Sequence, residues 1–229
     1  MTNKLLPTLK FLALAALASL SFSSCSTTGG GSAMARYDAY DRPATLPTNP
    51  SKVRVKVSLK NQLAYVMEGS KPLLIMPITV GTAKDPTPRG NFRIYHKEHY
   101  RRANTHGYAY KGNIVRPAYL RNKPSGWSFK GTPMPYWCEF KSAYGFHTGW
   151  MKPFPASHGC LRMHKNVAPK FFRLVSKGTP VNIATTQPED ATIGRNIPRP
   201  PDSTPFPGNP HAMMLTNKFF TMHKKPSYQ

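Results

Sequence analysis

From Lys52 onward the chain alternates apolar and polar residues in short runs, each closed by a turn-forming residue. Val53, Val55, Val57 and Leu59 alternate with Arg54, Lys56 and Ser58, the two-residue period of a half-buried strand. Asn61-Gln62 turns it, residues 63–67 read as the return strand, Gly69 turns again, and residues 72–80 form another apolar strand. A loop over residues 81–90 carries Thr87-Pro88-Arg89-Gly90, and Phe92-Arg93-Ile94-Tyr95 is a further short strand. Short strands joined by tight turns predict a mainly β domain.

At 229 residues the chain holds one domain of ordinary size plus tails. Lys and Arg number 32 against 9 Asp and Glu, a formal charge of +23. Such an excess attracts a polyanion or an acidic surface. Nucleic acid is not the expected partner, because no zinc finger, RNP-like motif or basic helix is present and the first residues read as an export signal. Anionic wall polymers and lipid headgroups fit the charge.

Residues 1–24 read as a targeting segment: Lys4 and Lys10 in a basic start, an apolar run of ten residues over 11–20, then small residues. The run is too short to span a bilayer comfortably. Leu20-Ser21-Phe22-Ser23-Ser24-Cys25 looks like a bacterial lipobox, with Phe22 where Leu, Val or Ile is more usual. The expectation is a lipid-modified Cys25 at the mature N-terminus, anchored to the membrane by several acyl chains. Residues 25–50, with Gly29-Gly30-Gly31 and three prolines, read as a flexible tether. Residues 51–186 are the expected folded domain.

Residues 96–135 are less regular and rich in aromatics: Tyr100, Tyr108, Tyr110, Tyr119 and Trp127. This insert either caps a site or packs the domain's edge. His96, His99 and His106 match no strong ligand spacing, so no metal is expected. Residues 134–140 read as a strand carrying Cys138, an inert packed thiol. Val167, Phe171, Leu174 and Val175 have a helical period, and residues 179–183 look like a closing strand. Residues 187–229 are proline-rich and basic, and are expected to be either a disordered tail or an electrostatic arm. Within them, residues 213–222 are apolar enough to dock.

The chemistry concentrates in residues 144–163, which hold His147, Ser157, His158, Gly159, Cys160 and Arg162. A cysteine attacks as its thiolate and needs a base or positive charge nearby. Two histidines lie within reach in sequence. Gly159 lets the backbone turn sharply and bring amide N–H groups to a substrate oxygen. Arg162 is a fixed cation suited to a carboxylate.

Ser157-His158-Gly159-Cys160-Leu161-Arg162-Met163, preceded by Gly145-Phe146-His147-Thr148-Gly149, resembles the catalytic motif of the L,D-transpeptidases, the YkuD family. Asn61 to Val66, the Val80-Gly81-Thr82 run and the Thr-Pro-Arg-Gly loop resemble the amino-terminal half of that domain, in the expected order. The resemblance implies a YkuD-like β-sandwich with a short helix after the catalytic cysteine, acting on peptidoglycan stem peptides without a cofactor. It also implies roles. Cys160 is the nucleophile that forms a thioester and releases D-alanine. His147 is general base and then acid, held by the backbone carbonyl of Thr148. His158 tunes the thiolate or contacts substrate. The N–H groups of His158, Gly159 and Cys160 form the oxyanion hole. Arg162 organises the site or meets a substrate carboxylate. Ser157 is a hydrogen-bonding loop residue.

Two departures stand out. Only nine residues separate His147 from Ser157, with Pro153 and Pro155 among them, which leaves the expected lid geometry open. After Met163, the Asn/Asp pair common in the family is replaced by His164-Lys165-Asn166-Val167. The chain order, with His147 thirteen positions before Cys160, argues against papain-like and NlpC/P60-like peptidases. The readings that follow are an L,D-transpeptidase with an amine acceptor, an L,D-carboxypeptidase if water is the acceptor, a non-catalytic wall-binding lipoprotein, and, last, a histidine-based metal binder. A monomer is expected.

Overall fold

A computed structural model describes Met1, residues 32–203 and residues 210–229. The chain divides into two compact units, Met1–Gly30 and Gly31–Gln229, and the fold below is that of the second. Cys25 and the remainder of the expected leader lie outside the described residues.

A short helix, α1 (Ala33–Ala39), precedes the strands. These run β1 (Val53–Ser58), β2 (Leu63–Glu68), β3 (Lys71–Pro77), β4 (Gly90–Arg93), β5 (His96–Glu98) and β6 (Arg102–Lys111). They continue with β7 (Ile114–Tyr119), β8 (Ser128–Pro133), β9 (Trp137–Lys141), β10 (Tyr144–Thr148) and β11 (Leu161–Met163). Helix α2 (Ala168–Leu174) and strand β12 (Pro180–Ala184) follow, then helices α3 (Pro210–Leu215) and α4 (Lys218–Thr221). Among the described residues, no helix is long and apolar enough to cross a membrane.

The first hairpins form where the alternation places them. Gln62 (φ 48°) and Gly69 (φ 62°) make the left-handed turns, and Val55 pairs Val66 in the β1–β2 ladder. A five-stranded sheet in the order β3-β2-β1-β12-β4 shares one core with a four-stranded sheet in the order β11-β10-β9-β5. Val55, Val57, Val66 and Met76 of the first, with Ile78 just past β3, meet Phe140, Phe146, Leu161 and Met163 of the second. Phe171 and Leu174 of α2 enter the same core. The mainly β sandwich and the short helix after Cys160 are therefore present. Thr79 and Arg162 join the two sheets, each donating its N–H to the other's carbonyl at 3.0 Å.

The insert is more regular than its sequence suggests. β6, β7 and β8 form a separate three-stranded sheet in the order β7-β6-β8. Its alternation is masked by small residues at the tightest approach. A Cβ on Gly131 would lie 1.9 Å from the Ala103 carbonyl oxygen, and one on Gly107 would lie 2.2 Å from that of Lys130.

Both flanking segments depart from expectation. Residues 32–50, read as part of a flexible tether, pack onto the domain. The buried Tyr37 rests against the rings of Trp150 and His164, and its hydroxyl accepts the Met151 N–H at 3.2 Å. The residues that replace the Asn/Asp pair grip this segment. His164 Nε2 donates to the Tyr37 carbonyl (2.8 Å), Asn166 Nδ2 donates to the carbonyls of Asp38 and Tyr40, and Lys165 pairs with Asp38. Lys170, itself buried, pairs with Asp41.

The expected proline-rich tail also folds back, over the outer face of β2. Leu63, Tyr65 and Met67 form an apolar face there with Ile75 and Ile197, and Tyr65 donates to Asp190 at 2.6 Å. A strand apolar on both faces needs cover on both. Truncating Tyr37 to alanine is expected to cost about 3 kcal/mol, as for other large buried side chains. A change of less than about 0.5 kcal/mol in the unfolding free energy from urea melts, the range of ordinary surface substitutions, would return the segment to a free tether.

Candidate active site

The parallel β10–β11 pair positions the two central groups. His147 pairs with Arg162 and Phe146 with Leu161, so Cys160 enters beside Gly145. The Cys160 thiol reaches the Ala143 carbonyl at 3.6 Å. Ala143 occupies the β9–β10 turn at φ 64°, where Glu139 accepts its N–H at 3.0 Å. Glycine is required at 145, because a Cβ there would lie 2.8 Å from the Cys138 carbonyl and the Trp137 ring.

His147 Nδ1–H donates to the Thr148 carbonyl at 2.8 Å, which leaves Nε2 as the basic nitrogen. His147, Cys160, Arg162 and the exposed His158 line one cavity of about 400 Å³. Its opposite wall comes from the insert, through His106, Tyr108 and Tyr119. The His158 ring lies tilted 5.0 Å from His106 and edge-on 6.1 Å from Tyr119. The aromatic insert thus caps the site, while the short 149–156 connection does not hang over it. That connection is pinned to the end of the first sheet. Lys152 and Thr79 exchange hydrogen bonds at 2.8 and 3.0 Å, and Gln62 donates to the Pro153 carbonyl at 3.0 Å.

The loop before Cys160 is held by the loop that contains Thr87. Thr87 Oγ1 donates to the Gly159 carbonyl and accepts the Gly81 N–H, both at 2.9 Å. Gly159 sits at φ +101°, with Tyr144 so close that a Cβ would fall 2.6 Å from its ring. Ser157 donates its N–H to the Val80 carbonyl and accepts that of Thr82, which leaves its part in the loop largely to its backbone. Among the described residues, the backbone N–H groups of His158, Gly159 and Cys160 donate to no protein acceptor.

Burial dominates the electrostatics. It pushes the Cys160 thiol up to about 11, against the pull of the Gly145 N–H and the Arg162 charge. It takes His147 down to about 3, only partly opposed by the Thr148 carbonyl. The resting pair at neutral pH is therefore thiol and imidazole. The positive charge expected beside the cysteine is present in Arg162, but it does not outweigh desolvation. Cys138 is fully buried and free, its thiol pushed up to about 12, and no bridge joins it to Cys160.

Two buried histidines and the half-buried His223 make the fold acid-sensitive. His147 is lowered to about 3, and His164 and His223 to about 4, by burial in each case. An unfolded histidine titrates near 6.5, so the unfolded chain binds more protons than the folded one below that pH. Stability is then complete above about pH 6.5 and falls toward pH 4, by up to about 1.4 kcal/mol per pH unit for each group. Urea midpoints from pH 7 to 4.5 are expected to fall steeply, and His164→Gln to make the slope shallower. A flat profile would overturn this.

His96 and His99, read with His106 as possible metal ligands, lie apart from the cavity. His96 lies 3.4 Å from Glu98, and His99 packs on Tyr136 and Phe172. Sequence reasoning named no role for Gly81, Thr87, His106 or Tyr108. The Val-Gly-Thr and Thr-Pro-Arg-Gly motifs were the available signals for the first two.

The family model of the L,D-transpeptidase catalytic domain (YkuD) matches residues 52–183. The chain belongs to this family. A search of curated protein sequences found no match. Among solved structures, the chain is similar to an L,D-transpeptidase (Yku) from Stackebrandtia nassauensis, at 20% identity over 68% of this chain and 66% of that one, with a TM-score of 0.43. It is similar to an L,D-transpeptidase from Mycobacterium smegmatis at 19% identity over 58% of each chain, with a TM-score of 0.45. It is also similar to the catalytic domain of the E. faecium L,D-transpeptidase, at 25% identity over 58% of this chain and 96% of that one, with a TM-score of 0.43. The chain thus spans less than two thirds of the first two proteins.

Proposed function

We propose that this protein is a peptidoglycan L,D-transpeptidase that transfers an acyl group from a stem tetrapeptide to an amine. The observation that carries the reading is the single cavity. It joins a buried thiol, a histidine of defined tautomer and a cation, beside a loop with three N–H groups that, among the described residues, donate to no protein acceptor.

The chemistry follows from the resting charges. A neutral thiol must lose its proton as it attacks, so His147 Nε2 takes that proton while Cys160 Sγ bonds to the carbonyl carbon of the third stem residue. The N–H groups of His158, Gly159 and Cys160 hold the oxygen that becomes negative. The C–N bond then breaks, His147 returns the proton to the departing amine of D-alanine, and a thioester remains. An acceptor amine attacks the thioester, gives its proton to His147 and leaves as a new amide, and Cys160 regains a proton. Arg162 and His158 meet the substrate's polar groups at the cavity wall, and Ser157 supports the loop. No cofactor enters any step.

Export, lipid attachment at Cys25 and a monomeric enzyme facing the periplasm or wall complete the proposal. The +23 charge supports attraction to anionic wall material. Binding to isolated wall is expected to weaken steeply between about 0.05 and 0.5 M salt, as the Debye length shortens. Unchanged binding across that series would remove this part.

The test is incubation of the protein with a tetrapeptide-stem muropeptide, with products read by mass spectrometry. D-Alanine release together with a cross-linked dimer supports transpeptidation. Release with no dimer, even when amine acceptor is added, makes water the acceptor and the enzyme a carboxypeptidase. No release overturns the reading.

A further inference from the structure

The segment after residue 209 lies beyond the residues matched by the family model, yet it builds one wall of the cleft. Met214 and Phe219 line the cavity beside Cys160 and Arg162. The segment is fastened to the cap sheet. Arg102 donates to the carbonyls of Met214 (2.9 Å) and Thr216 (2.8 Å), and Lys130 donates to that of Leu215 (2.7 Å). It is fastened equally to the end of β10, where the Phe219 ring meets Trp150 edge-on at 5.2 Å. It therefore ties the cap to the catalytic strand.

At its end stands His223. Its Nδ1–H donates to the Phe220 carbonyl at 3.2 Å, so Nε2 is bare and accepts the Thr148 hydroxyl at 2.8 Å. Tyr136 holds the ring edge-on at 4.7 Å. Thr148 is buried and gripped at three points: its N–H donates to the Pro135 carbonyl, its hydroxyl to His223, and its carbonyl accepts His147 Nδ1–H. A β-branched side chain has a stiff χ1, so fixing the Thr148 hydroxyl also fixes the backbone that carries the carbonyl.

We propose that His223 is a positioning residue: through the Thr148 hydroxyl it sets the carbonyl that orients His147, so the C-terminal segment completes the catalytic site. This rests on the reading of Cys160 and His147 as nucleophile and base. Without the imidazole the Thr148 hydroxyl has no other acceptor among the described residues, and a buried unsatisfied hydroxyl turns to find one.

The test uses the full chain with His223→Ala, His223→Gln, Thr148→Val and the His223→Ala, Thr148→Val double variant. Two readouts are taken: kcat and KM on the tetrapeptide-stem muropeptide, and alkylation of Cys160 by iodoacetamide at pH 7, followed by peptide mass spectrometry. His223→Ala is expected to lower kcat on the order of tenfold with KM within about twofold. His223→Gln, whose amide oxygen can accept the same hydroxyl, is expected to return within about threefold of the parent. In the Thr148→Val background, His223→Ala is expected to add nothing. Alkylation should slow and recover in the same pattern.

Unchanged kcat and alkylation in His223→Ala, a glutamine variant no better than the alanine one, or a full effect persisting in the valine background would each overturn the proposal. If His223→Ala fails to fold, the glutamine and valine variants carry the comparison. If the parent turns over no muropeptide, the functional reading falls, while the alkylation pattern still decides this one.

Discussion

Cys160→Ala is expected to abolish turnover of a tetrapeptide-stem muropeptide and leave the fold intact. Without the sulfur no thioester forms, and the remaining N–H groups and His147 can at best assist a water. A fall in kcat of at least about ten-thousand-fold is the expected scale for losing a nucleophile. The structural cost is small. Cys160 is 8% exposed and packs on Ala103, Met134 and Trp137, so the change removes one atom from the edge of a minor cluster. About 1 kcal/mol is the expected stability loss. Cys138→Ala is the paired control. That thiol is wholly buried in the main core, away from the cavity, and its loss is expected to cost stability but not kcat. An inactive Cys138→Ala that still folds, or an active Cys160→Ala, would show the thiols to be misassigned.

Gly81→Ala is expected to damage the site severely while touching no reacting group. A Cβ at this position would lie 2.3 Å from the Asp85 carbonyl oxygen, 2.7 Å from the Thr87 nitrogen and 2.9 Å from the Gly159 Cα. All three are backbone atoms, so no side chain can swing away. Relief requires the Thr87 loop to part from the Gly159 loop. That breaks the Thr87 hydrogen bonds to Gly81 and Gly159, and it moves the N–H groups beside Cys160. The expected result is a stability loss of about 2–4 kcal/mol, the scale of overpacking combined with broken buried hydrogen bonds. Activity is expected to drop by about 100-fold, as for losing one well-placed oxyanion donor. Gly69→Ala is the contrast. Its Cβ would meet nothing within 4 Å, so only the cost of φ +62° remains, and activity should hold. Equal behaviour of the two variants, in urea melts and turnover, would refute the steric account.

The sequence made some parts legible and concealed others for identifiable reasons. The β1–β2–β3 meander was readable because its burial is one-sided along β1 and its turns fall at Gln62 and Gly69, where the backbone turns left-handed. The insert was not, because Gly107 and Gly131 interrupt the pattern just where the strands approach most closely. The segment before Lys52 was read as free chain, whereas in the tail the apolar residues 213–222 were expected to dock and Met214, Phe219 and Phe220 are buried. Proline forbids helix and ladder, but it does not prevent packing, and the buried Tyr37 and Phe219 supply the apolar contact.

The cluster of His147, Cys160, Arg162 and the glycines around them was legible in the sequence because it lies in one short run, and the roles expected of them came from the resemblance to the L,D-transpeptidases. The carbonyl that orients His147 belongs to the next residue and was equally local. The protonation state of the pair was decided by the tertiary structure alone, because burial is a property of the whole surround. The same holds for the cap formed by the insert, the Thr87 brace and the return of His223 to Thr148. The brace and the return join residues more than 70 positions apart and the cap brings His106 to His158 across 52, and no local pattern in the chain encodes those meetings.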